Sequence, residues 1–176
     1  GALVLRLLLR PDDGLDVRHP LEGRDQRIRR ERIELLDPDD PRSRIAGSIA
    51  AAQQIQGKEL SFNNIVDLQA AWDLAAEFKE PFCGIIKHTN PSGVGVSKRR
   101  LVDAFKKARE CDPVSAYGGV IGFNRPVGGE TAREVAGTFF EAIIAPSFDK
   151  EARKILSVKA NLRVLETGGV FRWSGK

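Results

Sequence analysis

A short apolar run, Phe82-Cys83-Gly84-Ile85-Ile86, ends in Lys87-His88. A cation beside a titratable imidazole can hold charge and move a proton. Burying either group unpaired is costly, so the pair belongs at the mouth of a site. The plainer reading is a lysine reaching solvent and a histidine hydrogen-bonded in the core. Further along, Gly93-Val94-Gly95 precedes a helical pattern, where backbone N–H groups could receive a phosphate, although two glycines alone more often make a plain turn. In Asp112-Pro113-Val114-Ser115-Ala116-Tyr117-Gly118-Gly119 the glycine pair lets backbone approach a ligand while the Tyr117 ring stacks on it, or simply turns the chain into a strand. Glu141 precedes Ala142-Ile143-Ile144-Ala145-Pro146, as a functional carboxylate at a strand's start or as an exposed edge charge.

The elements that must carry these residues are well punctuated. Ile45, Ile49 and Ala52 at helical spacing, followed by Gly57, predict a helix over 45–56. Asn63 or Asn64 can cap a second helix whose stripe is Ile65, Leu68, Trp72 and Ala75. Phe82 to Ile86 reads as a buried strand delivering Lys87-His88 to its carboxyl end. Beyond Pro91 the chain is expected to turn through Gly93 and Gly95 into a helix from Ser97, with Leu101, Val102, Phe105 and Ala108 inward, ended by Asp112-Pro113. Strands at 119–123, 142–144 and 162–165 alternate with helices around 130–137 and from Asp149 to about Leu156. This predicts an α/β fold with a parallel or mixed sheet flanked by helices, in which ligands gather outside the carboxyl ends of the strands.

The composition of the 176 residues narrows the class. No apolar run approaches the roughly 20 residues of a membrane span, and Gly1 to Leu9 lacks the basic start and cleavage site of a secretory signal. Cys83 and Cys111 are too few for a disulfide framework or a four-cysteine zinc site, so a reducing cytoplasm is the expected setting and no metal is expected. The chain has no methionine, as expected of a fragment or a processed chain. All aromatic residues and all lysines lie after position 57, whereas residues 1–44 carry ten arginines against ten Asp and Glu. That first segment, with turn signals at Pro11-Asp12-Asp13-Gly14 and Asp37-Pro38-Asp39-Asp40-Pro41, has little to bury. One short helix, about Gln26 to Leu36, is available to it. Its zero net charge and lack of aromatics argue against nucleic-acid binding, which needs an excess of cation.

Four blocks occur in order: Gln56-Gly57-Lys58-Glu59-Leu60-Ser61-Phe62-Asn63-Asn64, Lys87-His88-Thr89-Asn90-Pro91-Ser92-Gly93, Asp112 to Gly119, and Ile143-Ile144-Ala145-Pro146. Together they resemble the signature of the AICAR transformylase family of purine biosynthesis, over about Ile45 to Leu165. The resemblance implies a cytidine-deaminase-like α/β fold, present twice in the complete transformylase domain, of which residues 45–176 would be the first copy. It implies formyl transfer from 10-formyltetrahydrofolate to the amino group of AICAR, giving FAICAR on the route to IMP, in a polypeptide that also carries IMP cyclohydrolase. His88 matches the family's proton acceptor and Lys87 the neighbouring residue that stabilises the transition state. Gly118 and Glu141 match nucleotide-holding positions, Glu141 standing where some members have Asp. Tyr117, often Phe in the family, and Asn90 belong to the same substrate-binding site. Ser92 replaces a common Cys, so no essential thiol is expected there. A homodimer is expected of the parent protein.

The family's Arg-Tyr-Gly-Glu-Asn block has no counterpart: the corresponding stretch here is Arg27-Ile28-Arg29-Arg30-Glu31. No family site transfers to residues 1–44, and the second subdomain, expected to supply most of the folate site, lies outside this sequence. Two functions follow: a transformylase fragment whose isolated form is inactive, or a non-catalytic nucleotide-binding module of the same fold. A deaminase is a weaker third, since no His-x-Glu with Pro-Cys-x-x-Cys is present to hold zinc.

Overall fold

The computed structural model describes residues 49–169. The 1–44 segment and its short helix at 26–36 lie outside the described residues. Six strands form one mixed sheet: β1 (Gln53–Gln56), β2 (Phe82–Lys87), β3 (Asn90–Val96), β4 (Val120–Phe123), β5 (Ala142–Ala145) and β6 (Arg163–Glu166), in the order β1-β6-β5-β4-β2-β3. Strands β4, β5 and β6 are parallel; β1, β2 and β3 each run antiparallel to their neighbours. The helices are α1 (Phe62–Ala76), α2 (Leu101–Cys111), the single turn α3 (Pro113–Ala116), α4 (Gly129–Ala136) and α5 (Lys150–Leu156).

Strand alternation divides the core between the two faces of the sheet. Cys83, Ile85, Ile121, Phe123, Ile143, Ala145 and Val164 point to the side packed by α2, α4 and α5. Ile86, Val120, Ala142, Ile144 and Leu165 point to the side packed by α1 through Leu68, Ala71 and Trp72. A strand covered on both faces must be apolar throughout, which is why β2 has no alternation until Lys87. Burial also pushes the Cys83 thiol well above its usual pKa, so it stays protonated, while Cys111 is an exposed free thiol.

The structure departs from the sequence expectations at four places. The helix expected over 45–56 is, in its described part, a 3₁₀ turn at Ile49–Ala51 followed by β1, which pairs with β6. Ile49 and Ala52 are too few to separate a helical period from a bend, and pairing with β6 decides the matter. Gly57 does not stop a helix; at φ 101° it brings its backbone against Leu162, whose carbonyl oxygen would lie 2.3 Å from any Cβ there.

Second, α1 is capped by Ser61, whose hydroxyl accepts from the Asn64 N–H, while Asn64 Oδ1 accepts from the Ser61 N–H at 3.1 Å. Asn64 is therefore the third residue of a capping box rather than the cap. Third, the helix expected from Ser97 starts at Leu101, and Ser97 Oγ instead accepts from the Arg99 and Arg100 N–H groups ahead of it.

Fourth, Gly93-Val94-Gly95 is neither a turn nor a phosphate loop. It is the middle of β3, hairpin partner of β2, with Gly93 opposite Ile85 and Gly95 opposite Cys83. Two residues along a strand and one turn along a helix cover nearly the same length, about 6–7 Å and about 5–6 Å. Gly93 therefore faces the Ala108 carbonyl and Gly95 the Ala104 carbonyl of α2, each so close that a Cβ would lie 1.9 Å from the oxygen. The glycines let helix backbone lie directly on strand backbone.

Candidate active site

The chemistry-bearing residues meet at one end of the sheet, for a reason other than the one expected. Tyr117-Gly118 and Glu141 precede the amino ends of β4 and β5, not the carboxyl ends. They reach Lys87-His88 because β2 runs antiparallel to β4 and finishes where β4 and β5 begin. The general rule for parallel sheets thus fails here, and an antiparallel central strand restores the convergence.

Lys87 ends β2, and its ammonium donates to the Tyr117 carbonyl at 3.0 Å, using one of its three protons. His88 and Thr89 form the two-residue loop of the β2–β3 hairpin, at φ 52° and 63°. Positive φ at both positions suits the twist of a tight hairpin, a role usually filled by Asn or Gly. For a histidine and a β-branched threonine it costs about 1–2 kcal/mol each. Neighbouring side chains supply compensating bonds. The Asp67 carboxylate, on α1, accepts from the Thr89 N–H at 2.7 Å and the His88 N–H at 3.3 Å. Asn90 Nδ2 and Thr89 Oγ1 both donate to the His88 carbonyl, at 2.9 and 2.6 Å. The His88 imidazole makes no hydrogen bond with the described residues and is exposed.

Glu141 lies one strand further along. Its carboxylate accepts from Asn64 Nδ2 at 2.7 Å, and its N–H donates to the Gly119 carbonyl at 3.0 Å. Gly118, at φ 74°, donates its N–H to the Phe139 carbonyl at 2.9 Å. Glu141 makes no hydrogen bond or ion pair with Lys87 or His88. The link runs through the start of α1, where Asn64 holds Glu141 and Asp67 holds the histidine turn. Tyr117, Lys87, His88, Asp67, Asn64, Glu141 and Gly119 thereby form a closed circuit around this end of the sheet. Asp67 was not singled out in the sequence, although Asn64-x-x-Asp67 places two polar side chains one turn apart on the same face of α1, a readable signal.

Two rings complete the surface. Tyr117 and Phe139 are 60% and 46% exposed, with centroids 5.2 Å apart. Exposed neighbouring aromatics at a strand entrance offer flat area for a heterocycle. Among the described residues no group of three His, Cys, Asp or Glu could hold a metal ion, and no helix is long and apolar enough to cross a membrane. A depression lined by Glu80, Ser97, Lys98, Arg99 and Lys107 lies at the opposite end of the sheet and takes no part.

Asp112 caps α3 and sits beside this site. The Ser115 hydroxyl, then the Ser115 N–H, hold its carboxyl below the usual carboxylate range, with smaller contributions from the Val114 N–H and the Lys87 charge. Desolvation opposes them without reversing the direction. A depressed carboxylate stabilises the fold above its unfolded pKa of about 3.9, and that stabilisation is lost as pH falls through the lower folded value. We expect the Asp112 carboxyl carbon to titrate below pH 3.9, the ordinary value, and Ser115→Ala to move its midpoint upward; an unmoved midpoint in an NMR titration would refute the hydroxyl's part.

A six-stranded mixed sheet with helices on both faces, bearing a lysine–histidine pair at a hairpin tip, defines an α/β protein with an enzyme-like site. The chain belongs to the AICARFT/IMPCHase bienzyme family, whose profile matches residues 40–173. It is 52% identical over 122 residues to the bifunctional purine biosynthesis protein PurH of Rhodospirillum rubrum, covering 69% of this chain and 23% of that protein. Against the PurH of Anaeromyxobacter dehalogenans it is 51% identical over 130 residues, 74% of this chain and 24% of the relative. The PurH of Desulfitobacterium hafniense is 50% identical over 121 residues, with 69% and 23% covered. The chain thus spans about a quarter of the length of these relatives.

Proposed function

We propose that this chain is the first of two similar, cytidine-deaminase-like subdomains of an AICAR transformylase and supplies the proton-handling part of its active site. The observation that carries this reading is the Lys87-His88 pair at the hairpin tip, held against Tyr117-Gly118 in a member of the family. The amino group of AICAR is a weak nucleophile because its lone pair is conjugated with the ring and carboxamide. Attack on a formyl carbon makes the nitrogen acidic, and an imidazole with a free nitrogen can take that proton as the N–C bond forms. His88 serves as this proton acceptor. Lys87 presents the remaining protons of its fixed ammonium to the oxygen that gains negative charge. Tyr117 lies along the heterocycle, the Gly118 backbone gives it room, and Glu141 holds the nucleotide, with Asn90 bracing the turn from the substrate side.

10-Formyltetrahydrofolate supplies the formyl group. As the tetrahedral adduct collapses, the bond between the formyl carbon and the folate N10 breaks, and tetrahydrofolate leaves with N10 gaining a proton to balance the one His88 takes from the amine. With Tyr117 taken by the AICAR heterocycle, most of the folate site belongs to the second subdomain or to a partner subunit of a homodimer. By the same reasoning the isolated chain has little or no formyl transfer activity. Residues 45–165, placed in the complete Rhodospirillum rubrum relative in exchange for its matching segment, should restore it. Turnover by the isolated chain at the rate of a complete enzyme would overturn the first statement, and a folded but inactive exchange protein the second. The family match begins only at residue 40, leaving the arginine-rich start unmatched. That favours, as a second reading, a non-catalytic nucleotide-binding module, and AICAR binding without turnover in the exchange protein would select it.

A further inference from the structure

We propose that Asp67 is a positioning residue for this reaction, its carboxylate placing the backbone that carries the His88 imidazole by fastening the hairpin tip to α1. The proposal rests on the reading of His88 as proton acceptor. Asp67 spends both oxygens on the loop: Oδ1 accepts from the Thr89 N–H at 2.7 Å and Oδ2 from the His88 N–H at 3.3 Å. A carboxylate can take two adjacent amides at once, and charge-assisted bonds of this kind are the stronger ones. The two residues it holds are consecutive, neither is glycine, and both have positive φ. Such a backbone persists only where its surroundings over-determine it.

The imidazole hangs on one of the two residues so held. It has no bond of its own with the described residues, so what the fold fixes is the position and direction of the Cα–Cβ bond from which it hangs. The anchor is itself fixed, because α1 begins in the Ser61–Asn64 capping box and Asn64 binds Glu141. Asp67 therefore ties the position of the base to the carboxylate that holds the nucleotide. Misplacement of a catalytic group by about 1 Å can cost about 10²-fold in rate.

The test combines two measurements. In the 176-residue chain, Asp67→Ala should speed amide hydrogen exchange at His88 and Thr89 by about tenfold or more and change the backbone couplings that report their positive φ. In the exchange protein described above, Asp67→Ala should lower kcat by about 10- to 100-fold while KM for AICAR stays within about threefold. Asp67→Asn, which keeps one acceptor oxygen, should recover part of the loss, and it carries the test if Asp67→Ala does not fold. Unchanged exchange and couplings, a raised KM at unchanged kcat, or no rescue by Asp67→Asn would overturn the proposal. His88→Ala run in parallel separates the two readings. If His88→Ala leaves turnover intact, the base is misassigned, and the exchange measurement still decides whether Asp67 holds the turn. If His88→Ala removes turnover and Asp67→Ala does not lower it, only the role of Asp67 fails.

Discussion

Replacing His88 by alanine in a complete transformylase carrying this segment is expected to lower kcat by about 10²–10⁴-fold, the range lost with a positioned general base. That corresponds to about 3–5 kcal/mol of transition-state stabilisation. The size follows from the place of the side chain. It stands at the tip of a hairpin held by Lys87, Asp67 and Asn90, and no other imidazole exists in the described residues, His19 lying outside them. The fold should not suffer, because the exposed ring contributes nothing to either core cluster. Single-turnover kinetics should show slowed chemistry with little change in AICAR affinity. Turnover within about twofold of the parent would show that another group takes the proton.

The largest effect on stability is expected at Gly95. In Gly95→Ala the new Cβ would lie 1.9 Å from the Ala104 carbonyl oxygen and 2.7 Å from the Ala108 nitrogen. Both are helix backbone, so no rotamer change relieves the clash, and α2 must lift from β3 by about 1.5 Å to restore ordinary contact. Overpacking of this kind costs about 1–3 kcal/mol where side chains can yield, and the upper end or more is expected where only backbone faces it. Out of a total stability of about 5–15 kcal/mol this is a large fraction. The urea midpoint should fall with little change in slope. Gly118→Ala is the contrasting case. Its φ of 74° disfavours a side chain, but the nearest atoms are the Phe139 ring at 3.7 and 3.9 Å, and a loss of about 1 kcal/mol is expected. If Gly95→Ala unfolded at the parent's urea concentration, the close helix–strand contact would be refuted. If it lost only anion binding, the phosphate-loop reading would be revived.

Gly93 and Gly95 also show where a sequence stops being informative. A glycine pair before a helical pattern has the same letters whether it cradles a phosphate, turns the chain or admits a helix. The choice depends on what crosses above it, and α2 was legible as a helix from Leu101, Val102, Phe105 and Ala108 without its position being legible. The expected helix over 45–56 failed similarly, because Gln53-Gln54-Ile55-Gln56 has no pattern of its own and takes its conformation from β6. By contrast, β2, β4 and β5 were readable as apolar runs, since burial on both faces leaves no room for polar residues. The Asp149 cap of α5 was readable because a carboxylate three residues ahead of an unpaired N–H serves it locally.

The sequence by itself determined the class of fold, most of the elements, and through its four ordered blocks the family, because these depend on local pattern and on residue identity. Only the tertiary structure decided that Lys87, Tyr117 and Gly118 meet, and that Glu141 joins them through Asn64. That convergence requires β2 to run against β4, and strand direction is set by long-range pairing. The role of Asp67 is likewise a tertiary fact: its partners lie 21 and 22 residues away in the chain, and only the packing of α1 on the sheet brings its carboxylate to the amides it holds.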